Sequence, residues 1–403
     1  MLKYVVVLAD GMADEACNQL DGKTPLQYAR TPNMDILARK GEMGTVRTVP
    51  RDYPPGSDVA NLSVMGYDPR EYYTGRSPLE AVSMGVELGD DDVAFRCNLV
   101  TLSDEDSYSQ KTMVDYCAGE IPSNESAKLI AAINEKNAGE NIRFYPGISY
   151  RHLMVWPSGP EQSELTPPHD ISGQKITNYL PRGEKSDIIT RLMQESYTIL
   201  KDHPVNISRV EKRQNPANSI WLWGQGKKPG LTGFKSKYGL KGGVISAVDL
   251  IKGIGICAEM QVLDVPGATG NIHTDFSGKA RTALKGLQSG LDFIYIHIEA
   301  PDEAAHQGEL ETKIKAIEEI DEKVLGIILP EIKKMGDFRV MVLPDHPTPM
   351  STRTHSRDPV PFVIYDSHAE KSGNQSFDEE TARKTPLVID EGHTLMDYFL
   401  EKR

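Results

Sequence analysis

Apolar residues fall into short runs, each followed by small or polar residues and then by a helical spacing. Four of these runs, Tyr4 to Ala9, Phe293 to Ile298, Arg339 to Leu343 and Pro361 to Tyr365, have the length of buried strands. Between the second and third, residues 309–335 carry Ile314, Ile317, Ile320, Val324, Ile328 and Leu329 at spacings of three or four among many charges. The spacing predicts an amphipathic crossover helix interrupted by Pro330. Such alternation is that of an α/β fold, a mostly parallel sheet flanked by helices. Residues 77–223 differ: they mix short β-like pieces, Pro-rich turns such as Thr166-Pro-Pro-His169 and a helical pattern over Ser186 to Leu200. We read them as a smaller inserted α/β domain, with 1–76 and 224–403 forming the first domain and Gly224 to Gly230 as the returning linker.

At 403 residues the chain has room for two hydrophobic cores. Its 45 basic and 58 acidic residues give a net charge of −13, which argues against general binding of nucleic acid or of an anionic membrane. The first apolar run is far shorter than the ~18 residues of a membrane span, and the N-terminus shows no signal-peptide pattern. Cys17, Cys97, Cys117 and Cys257 are scattered, with no C-x-x-C pair, as expected of a cytoplasmic protein without a cysteine zinc site. Any metal must therefore be held by oxygen and imidazole.

Those donors have a pattern. Asp10-Gly11 follows the first strand, Asp302-Glu-Ala-Ala-His306 the second and Asp345-His346 the third, while His355 lies just before the fourth. Ligands gather beyond the carboxyl ends of strands in open α/β sheets. Asp and His four apart on a helical turn can grip one ion, and together the set supplies ligands for two divalent cations. Singly, each of these has a plain structural reading as a turn, a solvated helix face or a cap. Ser57, in Pro54-Pro-Gly-Ser57-Asp-Val-Ala-Asn-Leu-Ser63, is a nucleophile candidate. Gly56 would allow a tight turn, and Ser57 would open a helix over 58–65 whose free N–H groups favour negative charge. A simple N-cap is the competing reading. Two further echoes fail: Asp21-Gly-Lys-Thr24 lacks the earlier glycine of a phosphate loop, and Gly253-Ile-Gly-Ile-Cys-Ala258 follows a helical rather than a strand pattern.

In order, Asp10-Gly11, Gly56-Ser57-Asp58, Asp302-x-x-x-His306, Asp345-His346 and Thr354-His355 resemble the motifs of the alkaline phosphatase superfamily. The chain resembles more narrowly the shorter, archaeal-type branch of the cofactor-independent phosphoglycerate mutases, through residues 55–67, 73–80 and Pro266-Gly-Ala-Thr-Gly270. The resemblance implies an alkaline-phosphatase-like core split around a smaller domain, with Ser57 as the nucleophile that becomes phosphoserine. It implies one ion on Asp10, Ser57, Asp345 and His346, and another on Asp302, His306 and His355. Mn²⁺ suits the oxygen-rich set best, with Mg²⁺ or Zn²⁺ compatible. Phosphate would pass from 3-phosphoglycerate to Ser57 and return to O2 of the reoriented glycerate, with domain closure excluding water. Cationic partners for this small phosphorylated metabolite are expected in the inserted domain: Arg96, Arg151, and His169 with Asp170. Arg76 carries no assigned role, and nothing in the chain fixes an oligomeric state. Two alternatives use the same metal pair and Ser57: a homoserine kinase-like phosphotransferase, as proposed for bacterial relatives, and a phosphomonoesterase.

Overall fold

The computed structural model describes residues 2–137, 141–372 and 376–401, and the chain separates into two units, 1–73 with 230–403, and 74–229. All four apolar runs are strands, Lys3–Ala9, Phe293–Ile298, Phe338–Leu343 and Val360–Asp366. They belong to an eight-stranded sheet in the order Gln261–Val262, Gly242–Ile245, Phe293–Ile298, Lys3–Ala9, Phe338–Leu343, Val360–Asp366, Glu42–Val46, Val388–Ile389. The first five run parallel, and Val360–Asp366 is antiparallel to both its neighbours. That reversal sets the amino end of Val360–Asp366 at the sheet edge where Lys3–Ala9, Phe293–Ile298 and Phe338–Leu343 end.

Central strands of a parallel sheet are buried on both faces, which is why these read as continuous apolar runs. One face carries Val5, Val7, Ile294, Ile296, Val340 and Val342 into a core with the helix Phe276–Gln288 and the 310–332 stretch. Pro330 does not interrupt that stretch. Leu310–Glu319 continues through a π-helical turn, Ile320–Leu325, into Gly326–Ile332, which contains the proline. The helix survives because Val324, Leu325, Ile328 and Ile332 are fully buried on its inner side. Burial at ~1.5–3 kcal/mol per side chain outweighs the ~3 kcal/mol a proline costs.

In the second unit the long strand Asp92–Leu102 lies between Arg151–Pro157 and Ser219–Lys227, antiparallel to both. Phe95, Cys97 and Leu99 face a core closed by the helices Ser123–Lys136 and Ser186–Leu200, which leaves Arg96 and Asn98 on the other face. The expected linker from Gly224 is largely strand, since Gly226 pairs with Ala94 and Lys227 with Val93. Gly226 is there for space: a Cβ would strike the Thr74 carbonyl. Among the described residues no helix is long and apolar enough to cross a membrane.

Candidate active site at the strand ends

The carboxyl ends of the central strands carry the acidic residues. Asp10 follows Lys3–Ala9, and its amide donates to the Ile298 carbonyl (3.0 Å). Gly11 is left-handed (φ 63°), and an added Cβ would sit 2.7 Å from both Cα and Cβ of Asp302. Only glycine lets those two segments approach so closely. Asp302 lies in the first turn of the helix Ala300–Gln307, with His306 one turn on and its Nε2 3.1 Å from Asp302 Oδ2. Asp345 Oδ1 accepts from the Gly11 and His346 amides (3.2 and 2.9 Å), and Asn61 Nδ2 donates to its Oδ2 (2.9 Å).

Ser57 opens the helix Ser57–Val64. Gly56 is not in a tight turn: its φ of −170° is extended backbone that any residue adopts. What calls for glycine is Asp58, whose Oδ1 lies 2.6 Å from where a Cβ would stand; the Val59 amide donates to that oxygen and the Tyr73 hydroxyl to Oδ2, which fixes the carboxylate. Ser57 Oγ is 3.1 Å from His346 Nε2. That imidazole is central, 3.4 Å from Asp345 Oδ2 and 3.7 Å from Asp10 Oδ1, and stacked on His355 with ring centroids 3.9 Å apart. His355 Nε2 lies 3.5 Å from Asp302 Oδ1 and 3.0 Å from His306 Nε2, while His306 Nδ1 is 2.8 Å from the Arg353 carbonyl.

Thus Asp10, Ser57, Asp302, His306, Asp345, His346 and His355 meet at one edge of the sheet. Five of these have donor atoms in one of two groups, each within 4.8 Å: Asp302, His346 and His355 in one, and Asp10 and Asp345 with His297 in the other, while Ser57 and His306 lie beside them. His346 therefore stands between the groups, and His297 is an addition. It lies inside Phe293–Ile298, where alternation of Phe, Tyr and His with isoleucine was its signal; the run reads as merely apolar unless its two faces are separated.

Three buried carboxylates so close are costly unless compensated. Burial, with the Asp345 and Asp302 carboxylates nearby, pushes the Asp10 carboxyl well above its usual range. Burial acts the same way on Asp302, yet hydrogen bonds from His306 and His355 hold it well below. The Asp302 hydrogen bond lifts His306 to about 9, while burial lowers His346 and takes His297 to about 3. Asp10 Oδ1 is buried without a hydrogen-bond partner. An orphaned buried carboxylate oxygen beside further carboxylates and imidazoles fits divalent cations.

Arg96, Arg151, His169 and Asp170 lie in the second unit. Arg96 is stacked over Trp223 (4.4 Å to the ring centroid), and its Nε lies 3.1 Å from Glu80. Burial lowers its guanidinium to about 10, with Glu80 opposing and Arg76 and Arg151 adding to the effect. His169 packs edge-on against Trp223 and Tyr116, with Nε2 3.5 Å from Asp170 Oδ1, and Arg151 lies over Tyr150. Arg76 pairs with Glu80 at 2.9 Å. Arg76 and Arg96 thus share Glu80, whose charge also acts on Arg151. Trp223 and Tyr150 have no sequence signal beyond residue type, whereas Glu80 closes the 73–80 stretch that carries the resemblance. Of the two rejected echoes, Thr24 caps the helix Pro25–Tyr28, and Gly253 and Gly255 lie inside the helix Asp249–Cys257.

Comparison with known proteins gives one consistent family. Residues 38–206 match the family model described as 2,3-bisphosphoglycerate-independent phosphoglycerate mutase. A protein of Geobacter sulfurreducens named as a probable enzyme of that kind is 52% identical over 402 residues, covering 100% of both chains. One of that name from Methanosarcina mazei is 50% identical over 96% of this chain and 97% of its own. Among solved structures, a Pyrococcus horikoshii protein superposes with a TM-score of 0.83 at 27% identity, covering 100% of this chain and 99% of its own. The cofactor-independent phosphoglycerate mutase of Thermoplasma acidophilum does so with 0.68, at the same identity and coverage.

Proposed function

The chain belongs to the 2,3-bisphosphoglycerate-independent phosphoglycerate mutases, and from that premise we propose that it interconverts 3- and 2-phosphoglycerate through phosphorylated Ser57. The observation that carries the reading is Ser57 itself: half-buried at a helix N-terminus, 3.1 Å from His346 Nε2 and beside a carboxylate cluster with an orphaned oxygen.

Asp10, Ser57, Asp345 and His346 would hold one divalent cation, and Asp302, His306 and His355 a second, with Mn²⁺ the expected ion and Mg²⁺ or Zn²⁺ chemically compatible. When bound, such ions polarise phosphoryl oxygens and favour the serine alkoxide. The remaining work falls to the chain. Asn61 Nδ2 donates to the Ser57 carbonyl (2.8 Å), fixing the first turn of the helix. The free N–H groups and dipole of that turn favour the phosphoserine anion. In the forward reaction the O3–P bond breaks as the Ser57 Oγ–P bond forms; the glycerate stays bound, turns, and takes the phosphoryl group on O2. Arg96 and Arg151, with His169 and Asp170 alongside, would grip the glycerate carboxylate while it turns, Trp223 holding the Arg96 fork flat. A cytoplasmic site for this reaction is expected from the scattered cysteines, which are not spaced as a disulfide framework.

An enolase-coupled assay with Mn²⁺ and no bisphosphoglycerate, run beside one with ATP and homoserine, tests the reading. Enolase-detectable product from 3-phosphoglycerate is expected. Phosphorylation of homoserine without mutase turnover would overturn the substrate, and release of inorganic phosphate in place of 2-phosphoglycerate would make the enzyme a phosphomonoesterase.

A further inference from the structure

Two side chains that point from one face of Phe293–Ile298 lead to the two carboxylates beside Ser57, Tyr295 through Asn61 and His297 directly. Tyr295 donates its hydroxyl to Asn61 Oδ1 (2.6 Å), and Asn61 Nδ2 donates on to Asp345 Oδ2 (2.9 Å). His297 Nε2 lies 3.0 Å from Asp10 Oδ2, and its Nδ1 lies 3.2 Å from Ser246 Oγ. All of these groups are buried.

The direction of the second chain follows from Asp10, whose ionised carboxylate can only accept, and its far end agrees with that direction. The Val248 amide donates to Ser246 Oγ at 2.9 Å, which leaves the serine its own proton to give. Given to His297 Nδ1, that proton fixes the imidazole as the tautomer with hydrogen on Nε2. Nε2–H then donates to Asp10 Oδ2. With a cation bound Asp10 is ionised, and the reverse arrangement would then set a nitrogen lone pair against a carboxylate oxygen. Asp10 is thereby held by one oxygen, and its other, Oδ1, is the buried atom with no hydrogen-bond partner.

We propose that His297 is a positioning residue: with Ser246 supporting its Nε2–H tautomer, it holds Asp10 so that one carboxylate oxygen stands bare for a divalent cation. The inference rests on the reading that Asp10 and Asp345 bind an ion. It explains why the strand places a histidine among isoleucines, and it makes the strand a support for the site, with Tyr295 orienting the Asn61 amide that donates to Asp345 Oδ2. Partners of this kind commonly change metal affinity about 10–100-fold when removed.

The test is Mn²⁺ titration of the chelator-stripped full-length protein, followed by calorimetry and by the electron paramagnetic resonance of free Mn²⁺, with circular dichroism as the check on folding. His297→Leu is expected to weaken binding about 10–100-fold. His297→Gln, whose amide N–H reaches the position of Nε2–H, is expected to restore affinity to within about threefold, and Ser246→Ala, which frees the tautomer but keeps the imidazole, to lose less than His297→Leu. Wild-type affinity in a folded His297→Leu overturns the inference. So does a folded His297→Gln as weak as His297→Leu, which would make the imidazole a ligand, or a Ser246→Ala chain indistinguishable from wild type. If the wild-type protein takes up no Mn²⁺, the ion site itself fails, a result distinct from all of these.

Discussion

Replacing Glu379 with glutamine should stabilise the protein at neutral pH and leave it nearly unchanged in acid. Glu379 is buried; it accepts from the Asp14 amide (3.0 Å) and the Thr24 hydroxyl (2.7 Å). Asp14 in turn pairs with the fully buried Lys313 at 2.6 Å, and Lys313 donates to the carbonyl of Thr348, whose hydroxyl donates to Asp302. The glutamate therefore anchors a polar chain that reaches the candidate ion site. Burial, with Asp378 adding to it and the hydrogen bonds from Thr24 and Asp14 opposing, raises its carboxyl from 4.5 to about 6. The folded state thus holds this proton more tightly than the unfolded chain. The stabilisation is complete below pH 4.5 and is lost as the pH rises through about 6. That rise corresponds to about 2 kcal/mol at pH 7.5 and to less than about 0.5 kcal/mol at pH 4.5. The glutamine oxygen still accepts from the Asp14 amide, and the Thr24 hydroxyl can turn to accept from the new N–H. Urea unfolding should be followed by far-ultraviolet circular dichroism, because all three tryptophans, Trp156, Trp221 and Trp223, lie in the second unit and leave fluorescence blind to the first. A gap between Glu379→Gln and wild type that is the same at pH 4.5 and 7.5, or a variant less stable than wild type at pH 7.5, would refute the argument.

Ser57→Ala should lower mutase turnover at least about a thousandfold in the enolase-coupled assay with the fold unchanged, since removal of a nucleophile leaves only binding and electrostatic catalysis; full activity would refute the assignment. Arg96→Lys keeps the charge but loses the fork and its stacking on Trp223, so KM for 3-phosphoglycerate should rise about 10–100-fold, as for one or two charged hydrogen bonds at ~1.5–3 kcal/mol, with kcat less affected. An unchanged KM would remove Arg96 from the substrate clamp. Changing Asp345 and His346 together, to Asn and Ala, should abolish Mn²⁺ retention measured by elemental analysis of the folded protein; unchanged metal content would contradict the ligand set.

What the chain discloses before folding depends on where its physics is local. Asp10, Asp302 and Asp345 were visible because a buried parallel strand is an apolar run, and the first polar residues after it stand at its carboxyl edge wherever it lies in the sheet. His355 is different, as it precedes its strand; it reaches the same edge only because Val360–Asp366 runs antiparallel, a pairing no local pattern encodes. His297 and Asn61 hide for the opposite reason, each inside a regular element whose apolar neighbours mask which face it serves. Glycine misleads by composition: Gly224 to Lys227 reads as a linker, yet pairing with Val93 and Ala94 makes its latter half an edge of the second unit's sheet, and the missing side chain of Gly226 is what admits Thr74. Gly11 and Gly56 read alike as turn formers, but the first is left-handed and pressed against Asp302, whereas the second is extended and yields space to Asp58. In each case the missed information is which distant segment a residue must meet. Residues whose role is to hold another side chain are therefore the last to be legible, and the supports beneath Asp10 and Asp345 belong to that class.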